Sequence, residues 1–545
     1  MGAGGRFRGF AAAVVLALAV TGCSGGGGNA GDGDGDGGAS GGDDGDAVVL
    51  PRLHAVRGER PGVFDEDGRQ VVLRGVNLNG LAEYARANPD LDPTIPVTDE
   101  TWDQIRDEGF NAVRLLVSWS RLEPDQGEID DAYVDEVRSQ VRAAGERGIY
   151  TVIDVHQDAW GPFVATPPGV TCPPGTEPAN GWDGAPEWAT PEAGPDLDSC
   201  RPADGEAKPG SDLVLQAWDR FYGDADGIQT SLVDVWEHLA TELADEPSIA
   251  GYDLLNEPGH GPGANGPVGG ILSEFPALGD YYGRAVAAIR RGEQAAGIEP
   301  RPIYFEHSVA GNPPPPDFSD DSGLVFAPHI YGGSIVQFLT VDQNWDVMLS
   351  LAEGWGTSIW VGEYGWWDDP ADRPEIVERV RQFATREDGG GPAGRLGYVP
   401  VGSAWWQWNN GCGDPHQITD AGLAAPGEIR QYRVTSCVDG VAEDAGVVPA
   451  WREVLTRPTV RFAPGWITEL TADGDLALAA EDATPGAELQ LWVPGDDEPT
   501  VGGDGVAEVE SVPQGTGWTV TATVCAAAYA VTTAPDAPPA EPSCP

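Results

Sequence analysis

Eight short apolar runs, spread between residues 71 and 408 and separated by amphipathic stretches, constrain this chain more than any other feature. They read "VVLRGVN" (71–77), "NAVRLLVSW" (111–119), "YTVIDVH" (150–156), "IAGYDLLN" (249–256), "PIYFEH" (302–307), "GLVFAPH" (323–329), "SIWVGE" (358–363) and "VGSAWWQW" (401–408). Helical patterns such as "TWDQIRDEGF", "AYVDEVRSQVRAAGERG" and "SLVDVWEHLATELA" lie between several of them. A strand that is apolar throughout is buried on both faces, and alternating helices supply the cover. Eight such units predict a closed (β/α)8 barrel with long loops. An open doubly wound sheet is the alternative, but no GxGxxG turn follows the first run. Past Arg457-Pro458 the texture changes to short alternating runs, "DLALAAED", "AELQLWVP", "GVAEVESV" and "GWTVTATV", punctuated by Gly, Pro and Asp. These predict a small antiparallel β-sandwich. The expected fold class is α/β: a (β/α)8 TIM barrel over residues 47–456 and a C-terminal antiparallel β-sandwich domain over 457–545.

The amino terminus is of another kind. Arg6 and Arg8, the apolar run from Phe10 to Val20 and the small residues Thr21-Gly22 read as a targeting signal over 1–22. The run is short for a spanning helix, which needs roughly 20 apolar residues. "VTGC" (20–23) resembles the lipobox of bacterial lipoproteins, which makes Cys23 the expected lipidation site. Residues 23–46 are almost entirely Gly, Asp, Ser and Ala and bury nothing, so a flexible tether is expected. An ordinary signal peptide with an incidental cysteine is the alternative. Both readings place the protein outside the cytoplasm, secreted or on the cell surface. With Cys23 set aside, six of the seven cysteines remain, and local pairing in chain order is expected: Cys172 with Cys200, Cys412 with Cys437, Cys525 with Cys544. The net charge of −56 argues against a nucleic-acid partner and against attraction to anionic membranes, leaving the lipid anchor as the one expected membrane contact. No CxxC or His-rich cluster suggests a metal site.

In a parallel barrel, functional side chains come from the C-terminal ends of the strands. Here those ends carry Arg114, His156, Asn256, Glu257, His329, Tyr331, Glu363 and the run from Trp405 to Trp408. Glu257 is the sharpest case, because the apolar run before it ends in Asn256-Glu257 and breaks at Pro258-Gly259. The fourth and seventh strands face each other across a barrel mouth, so Glu257 and Glu363 are expected to converge. Two such carboxyl groups are what glycosidic cleavage requires, one protonating the leaving oxygen and the other attacking the anomeric carbon. Each companion has a plainer reading: His156 and His329 as hydrogen-bonded core histidines, Arg114 as an ion-pair partner, and Trp405 or Trp406 as core filler. Trp408 shares a face with Trp406 nearer the rim and is the expected stacking platform. Glu306 and His307, ending the fifth run, are candidate subsite residues.

"LLNEP", "WVGEYG", "RLLVSW", "IDVH", "HIY" and the eighth-strand tryptophans together resemble clan A glycoside hydrolases, specifically glycoside hydrolase family 5. The match runs from about residue 64 to 456. The resemblance implies Glu257 as acid/base, Glu363 as nucleophile and Asn256 as the holder of the sugar 2-hydroxyl. It implies Arg114 beside the nucleophile, His156 and His329 in the cleft, Tyr331 touching the nucleophile, and Trp408 as the aromatic platform. It also implies retention of configuration with neither cofactor nor metal. "DVHQDAWG" (154–161), with Asp158 after the histidine, and "RPTVRFAPG" leading into the C-terminal strands are similar to endoglycoceramidases. That likeness implies a carbohydrate or glycolipid substrate. Trp160, Phe163, Trp182 and Trp188 in the long loop over 157–212 are candidates for the apolar wall a lipid needs, with stacking on plain sugars as the equal alternative. An endo-β-glucanase or mannanase, and a surface lipoprotein that binds carbohydrate without cleaving it, are the two alternatives. Sequence leaves the oligomeric state open.

Overall fold

In the computed structural model, the described residues run from 49 to 544, leaving out 87, 195–196, 204–210, 262–271, 335, 337, 367–369, 372, 390–400, 417–430 and 439. The expected signal and tether, with Cys23, therefore lie outside the described residues. Eight parallel strands form the barrel: Leu73–Leu78, Ala112–Ser118, Tyr150–His156, Ile249–Asp253, Ile303–Phe305, Leu324–Phe326, Trp360–Tyr364 and Gly402–Trp405. Strands one to six pair in chain order, the first strand also pairs with the eighth, and the eighth pairs with the seventh. Closure between the sixth and seventh comes from short bridges, Phe326 to Ile359 and His329 to Glu363. Every residue of the second and third strands is buried, as expected of strands covered on both faces.

The helices obey ordinary terminal chemistry. Asp130 accepts the amides of Ala132 and Tyr133 to start helix Asp131–Gly145, which lays Val134, Val137 and Val141 on the barrel. Thr98 and Thr101 close a capping box on helix Asp99–Asp107, whose Trp102 and Ile105 face inward. On the fourth strand, Gly251 has φ +147°, and a Cβ there would stand 2.2 Å from the Pro302 carbonyl. Close approach of the fifth strand therefore requires glycine at this position.

The C-terminal sheets make a sandwich. A four-stranded antiparallel sheet closes over a seven-stranded one, with Ile467, Leu476, Leu478, Leu489, Leu491 and Val520 between them. Three strands of the larger sheet come from before the barrel, Leu53–Val56, Gly62–Asp65 and Arg69–Val71, joined through Val71 opposite Phe462. The segment placed with the barrel on sequence grounds thus completes the sandwich, because strand pairing depends on edges meeting in space rather than on chain order. All three expected disulfides form: Cys172–Cys200, Cys412–Cys437 and Cys525–Cys544. The last one ties down the tail. Trp492 is buried under Gly109 at the seam with the barrel, which makes the sandwich a packing partner for it.

Candidate active site

Arg114 organises the barrel mouth. Its side chain is fully buried, and its guanidinium meets Asp253 at 2.9 Å, Glu363 at 2.9 Å, Glu306 at 3.0 Å and Asp154 at 3.1 Å. Burial opposes the charge, but the four carboxyl groups outweigh it and raise the arginine pKa well above its ordinary value. The same guanidinium donates to Asn256 Oδ1 at 3.1 Å and to Asn77 Oδ1 at 3.3 Å. One buried cation thus fixes six side chains, drawn from five strands or their ends.

Glu363 receives Arg114 on Oε1 and the Tyr331 hydroxyl on Oε2 at 2.8 Å. Two donors on separate oxygens leave the carboxyl group a single orientation. Glu257 sits across from it, and oxygens of the two groups, together with a nitrogen of His329, lie within 4.8 Å of one another. His329 Nδ1 is 2.9 Å from Glu257 Oε1 and 3.4 Å from Glu363 Oε2, while Nε2 is 3.1 Å from Glu306. Although burial pushes the histidine pKa down, Glu306 and Glu363 outweigh it and raise it well above the ordinary value. Each ring nitrogen of His329 thus faces a carboxyl oxygen, and the trio reads as a hydrogen-bonding cluster. Glu257 has φ +38°, a conformation that costs a residue with a side chain on the order of 1 kcal/mol. Gln157 donates to the carbonyls of Asn256 and Glu257 at 2.6 and 2.9 Å and holds this turn in place.

Opposite, His156 bonds Asp154 through Nδ1 at 2.7 Å and stands 3.6 Å from Asp158 through Nε2. Burial works against the proton, but these aspartates raise the pKa to about 10. The Asn256 side chain donates to the Gln157 carbonyl at 2.9 Å. Asp158 is also 2.9 Å from His416, whose other nitrogen meets Asp414 at 2.8 Å. His416 escaped the sequence reading because it follows no strand; Asp-Pro-His in a loop carries no periodic signal.

The structure brings Arg114, His156, Asp158, Asn256, Glu257, His329, Tyr331 and Glu363 together, and it does not bring Trp408. That side chain has no exposed surface; its ring stacks on Tyr432 at 5.3 Å and meets the edge of Phe110. Trp406 takes the cleft position instead, stacked on His156 at 5.5 Å and 14° and packed with Leu116 and Tyr331. The eighth strand ends at Trp405, so the two-residue alternation used to place Trp408 stops before it applies.

A second expectation is also displaced. Trp160 is buried against Trp119, Trp218 and Phe221 rather than lining a lipid wall. Trp182 is buried with its ring 4.8 Å from His416, Trp188 packs on Trp119, and Phe163 is exposed. A cavity of about 280 Å³ does open beside Glu257, and Val214, Leu215, Trp218, Val309, Gly259 and Ala159 supply its apolar wall. Three of these belong to helix Asp212–Tyr222, started by the Ser211 side chain on the Val214 amide. Gln157, Asp158 and His260 complete the lining, so the cavity runs from the polar cleft into apolar surroundings.

Comparison with known proteins agrees with this geometry. The family model for cellulase (glycosyl hydrolase family 5) matches residues 64–410. A crystal structure of an endogalactoceramidase superposes with a TM-score of 0.77 at 36% identity, covering 89% of this chain and 100% of that one. Endo-glycoceramidase II from Rhodococcus sp. shares the fold, with a TM-score of 0.61 at 23% identity over 87% of this chain and 99% of that one. Endoglycoceramidase I of Rhodococcus hoagii (strain 103S) is 31% identical over 49% of this chain and 51% of its own, so the chain spans about half the length of that relative. By the extent of that family match and of the superposition on a relative of more than 30% identity, the chain belongs to glycosyl hydrolase family 5.

Proposed function

We propose that this protein is a retaining β-glycosidase that releases the sugar of a glycolipid from its apolar aglycone, as an endoglycoceramidase does. The observation that carries the reading is the apolar cavity beginning at Glu257. A glycosidic oxygen protonated by Glu257 places its leaving group on that side, where Val214, Leu215, Trp218 and Val309 match a lipid and offer a glucan hydroxyl few partners.

In this reading Glu257 is the acid/base and Glu363 the nucleophile. Tyr331 and Arg114 aim the nucleophile at the anomeric carbon. Bond formation to Glu363 displaces the aglycone oxygen, which takes the Glu257 proton; Glu257 then removes a proton from the water that breaks the glycosyl ester. An oxygen of each carboxyl group lies within 4.8 Å of the other, which suits attack by Glu363 itself, since an inverting enzyme spaces the groups about 6.5–9.5 Å apart to admit water. Asn256 holds the 2-hydroxyl, His156 and Asp158 bind other sugar hydroxyls, and Trp406 supplies the ring face. No step requires a cofactor.

The amino terminus is read as a lipoprotein signal with Cys23 lipidated and residues 24–46 as tether, which keeps the cleft outside the cytoplasm near membrane lipids. Fatty-acid labelling that persists after Cys23→Ala would remove that anchor. For the activity, product analysis compares a glycosylceramide with carboxymethylcellulose and mannan. Intact sugar released from the ceramide alone is expected; cleavage of the polymers alone would favour a glucanase or mannanase, and no cleavage a binding protein. Glu257→Gln and Glu363→Gln are each expected to cut turnover by about three orders of magnitude or more with an unchanged melting temperature. A near-normal rate from either variant would remove that residue from its role.

A further inference from the structure

We propose that Glu306 is a positioning residue for the acid/base: it holds the Glu257 backbone and the histidine that caps the Glu257 carboxyl group as one charge-balanced unit. The proposal rests on the hydrolase reading above. Glu306 lies just past the fifth strand and is only 1% exposed, so it sits behind the cleft rather than in a sugar subsite. Its Oε2 accepts the Glu257 amide at 3.0 Å, and its Oε1 lies 3.0 Å from Arg114 Nη2 and 3.1 Å from His329 Nε2. One carboxyl group therefore touches the strained backbone that aims the acid/base, the imidazole beside its oxygen, and the cation that aims the nucleophile.

The strain explains why such a tie is needed. Glu257 holds φ +38° only if its surroundings over-determine it. Gln157 secures the carbonyl side of that turn, and Glu306 secures the amide side.

Charge gives the second half of the argument. An unbalanced imidazolium 2.9 Å from Glu257 would favour loss of the proton that the leaving group needs. A carboxyl group on the far side of the same ring offsets that pull. The titratable groups around Glu306 are Arg114, Asp154, Asp253, Glu257, His307, His329, Glu363 and Tyr282, whose hydroxyl lies 3.3 Å from the Glu306 amide. Among them Arg114 and His329 are the cations, and both already touch Glu306. Burial pushes the Glu306 pKa up, whereas the cations His329 and Arg114 beside it pull it down and favour the carboxylate.

The test is the pH dependence of kcat/KM for Glu306→Gln and Glu306→Asp on aryl β-glucoside, aryl β-galactoside and glycosylceramide. Removing the negative charge makes the protons on His329 and Glu257 easier to lose. Glu306→Gln should therefore lose about tenfold more activity on the alkaline side of the wild-type optimum than on the acid side. Glu306→Asp keeps the carboxyl group and should keep the wild-type profile shape at a lower rate. A uniform loss across pH in both variants would overturn the proposal and leave Glu306 a packing residue. Should Glu306→Gln fail to fold, ¹⁵N-histidine NMR of the wild type, with His329→Asn for assignment, decides instead: both His329 nitrogens protonated at pH 7 supports the proposal, and a neutral ring overturns it. A wild type inactive on every substrate would remove the hydrolase reading and this proposal together, whereas an active wild type with unshifted variants removes only the role of Glu306.

Discussion

Trp406 and Trp408 stand two residues apart, and their loss is expected to do two different kinds of damage. Trp406→Ala removes a ring packed against His156, Leu116 and Tyr331 at the cleft and should lower kcat/KM by about a hundredfold, in addition to its cost in stability. Trp408→Ala empties a packed site between Phe110 and Tyr432, and chemical denaturation should show a loss of about 3–5 kcal/mol. The opposite pattern would return the platform to Trp408. His156 adds a pH dependence. Its folded pKa is raised to about 10 from an ordinary 6.5, so the stability it contributes is fully present below pH 6.5 and is lost as pH rises through 10. Denaturation midpoints of the wild type should fall from pH 7 to 10, and His156→Asn should show a shallower fall. An identical slope would mean that Asp154 and Asp158 do not hold the proton.

Helix Asp212–Tyr222 is the element that sets apolar side chains beside the family 5 cleft. Its sequence gives an amphipathic pattern with Leu213, Ala217 and Phe221 in the core, and this tells nothing of what the neighbouring face meets. Only packing across the mouth brings Val214, Leu215 and Trp218 beside Glu257. Leu215 is half-buried and lines the cavity, so Leu215→Arg should cut glycosylceramide hydrolysis at least about tenfold while sparing an aryl glycoside. Equal loss on both substrates would place the aglycone elsewhere. The barrel strands contrast with this helix. Their apolar runs were legible because burial on both faces writes itself into every residue. Loop 157–212 was not, since its four aromatic residues carry the same composition whether they pack inward, as Trp160 does, or lie exposed, as Phe163 does.

At the scale of the whole molecule, the net charge of −56 acts through long-range repulsion. Glycolipid presented in anionic vesicles should be cleaved more slowly than in zwitterionic ones at low salt, with the gap closing near 0.5 M salt as screening shortens to a few ångströms. A gap that persists at high salt would point to a headgroup effect instead. Among the described residues, no helix is long and apolar enough to cross a membrane. The amino-acid sequence by itself determined the eightfold alternation, the C-terminal strands, the disulfide pairing and the two acidic residues at strand ends, because each follows from local periodicity or from short separations along the chain. Tertiary structure alone decided that three early strands complete the C-terminal sheet, that Trp406 rather than Trp408 faces the cleft, and that Glu306 and His416 buttress it. Each of those depends on which surfaces meet once the barrel closes, and closure joins residues that no local pattern relates.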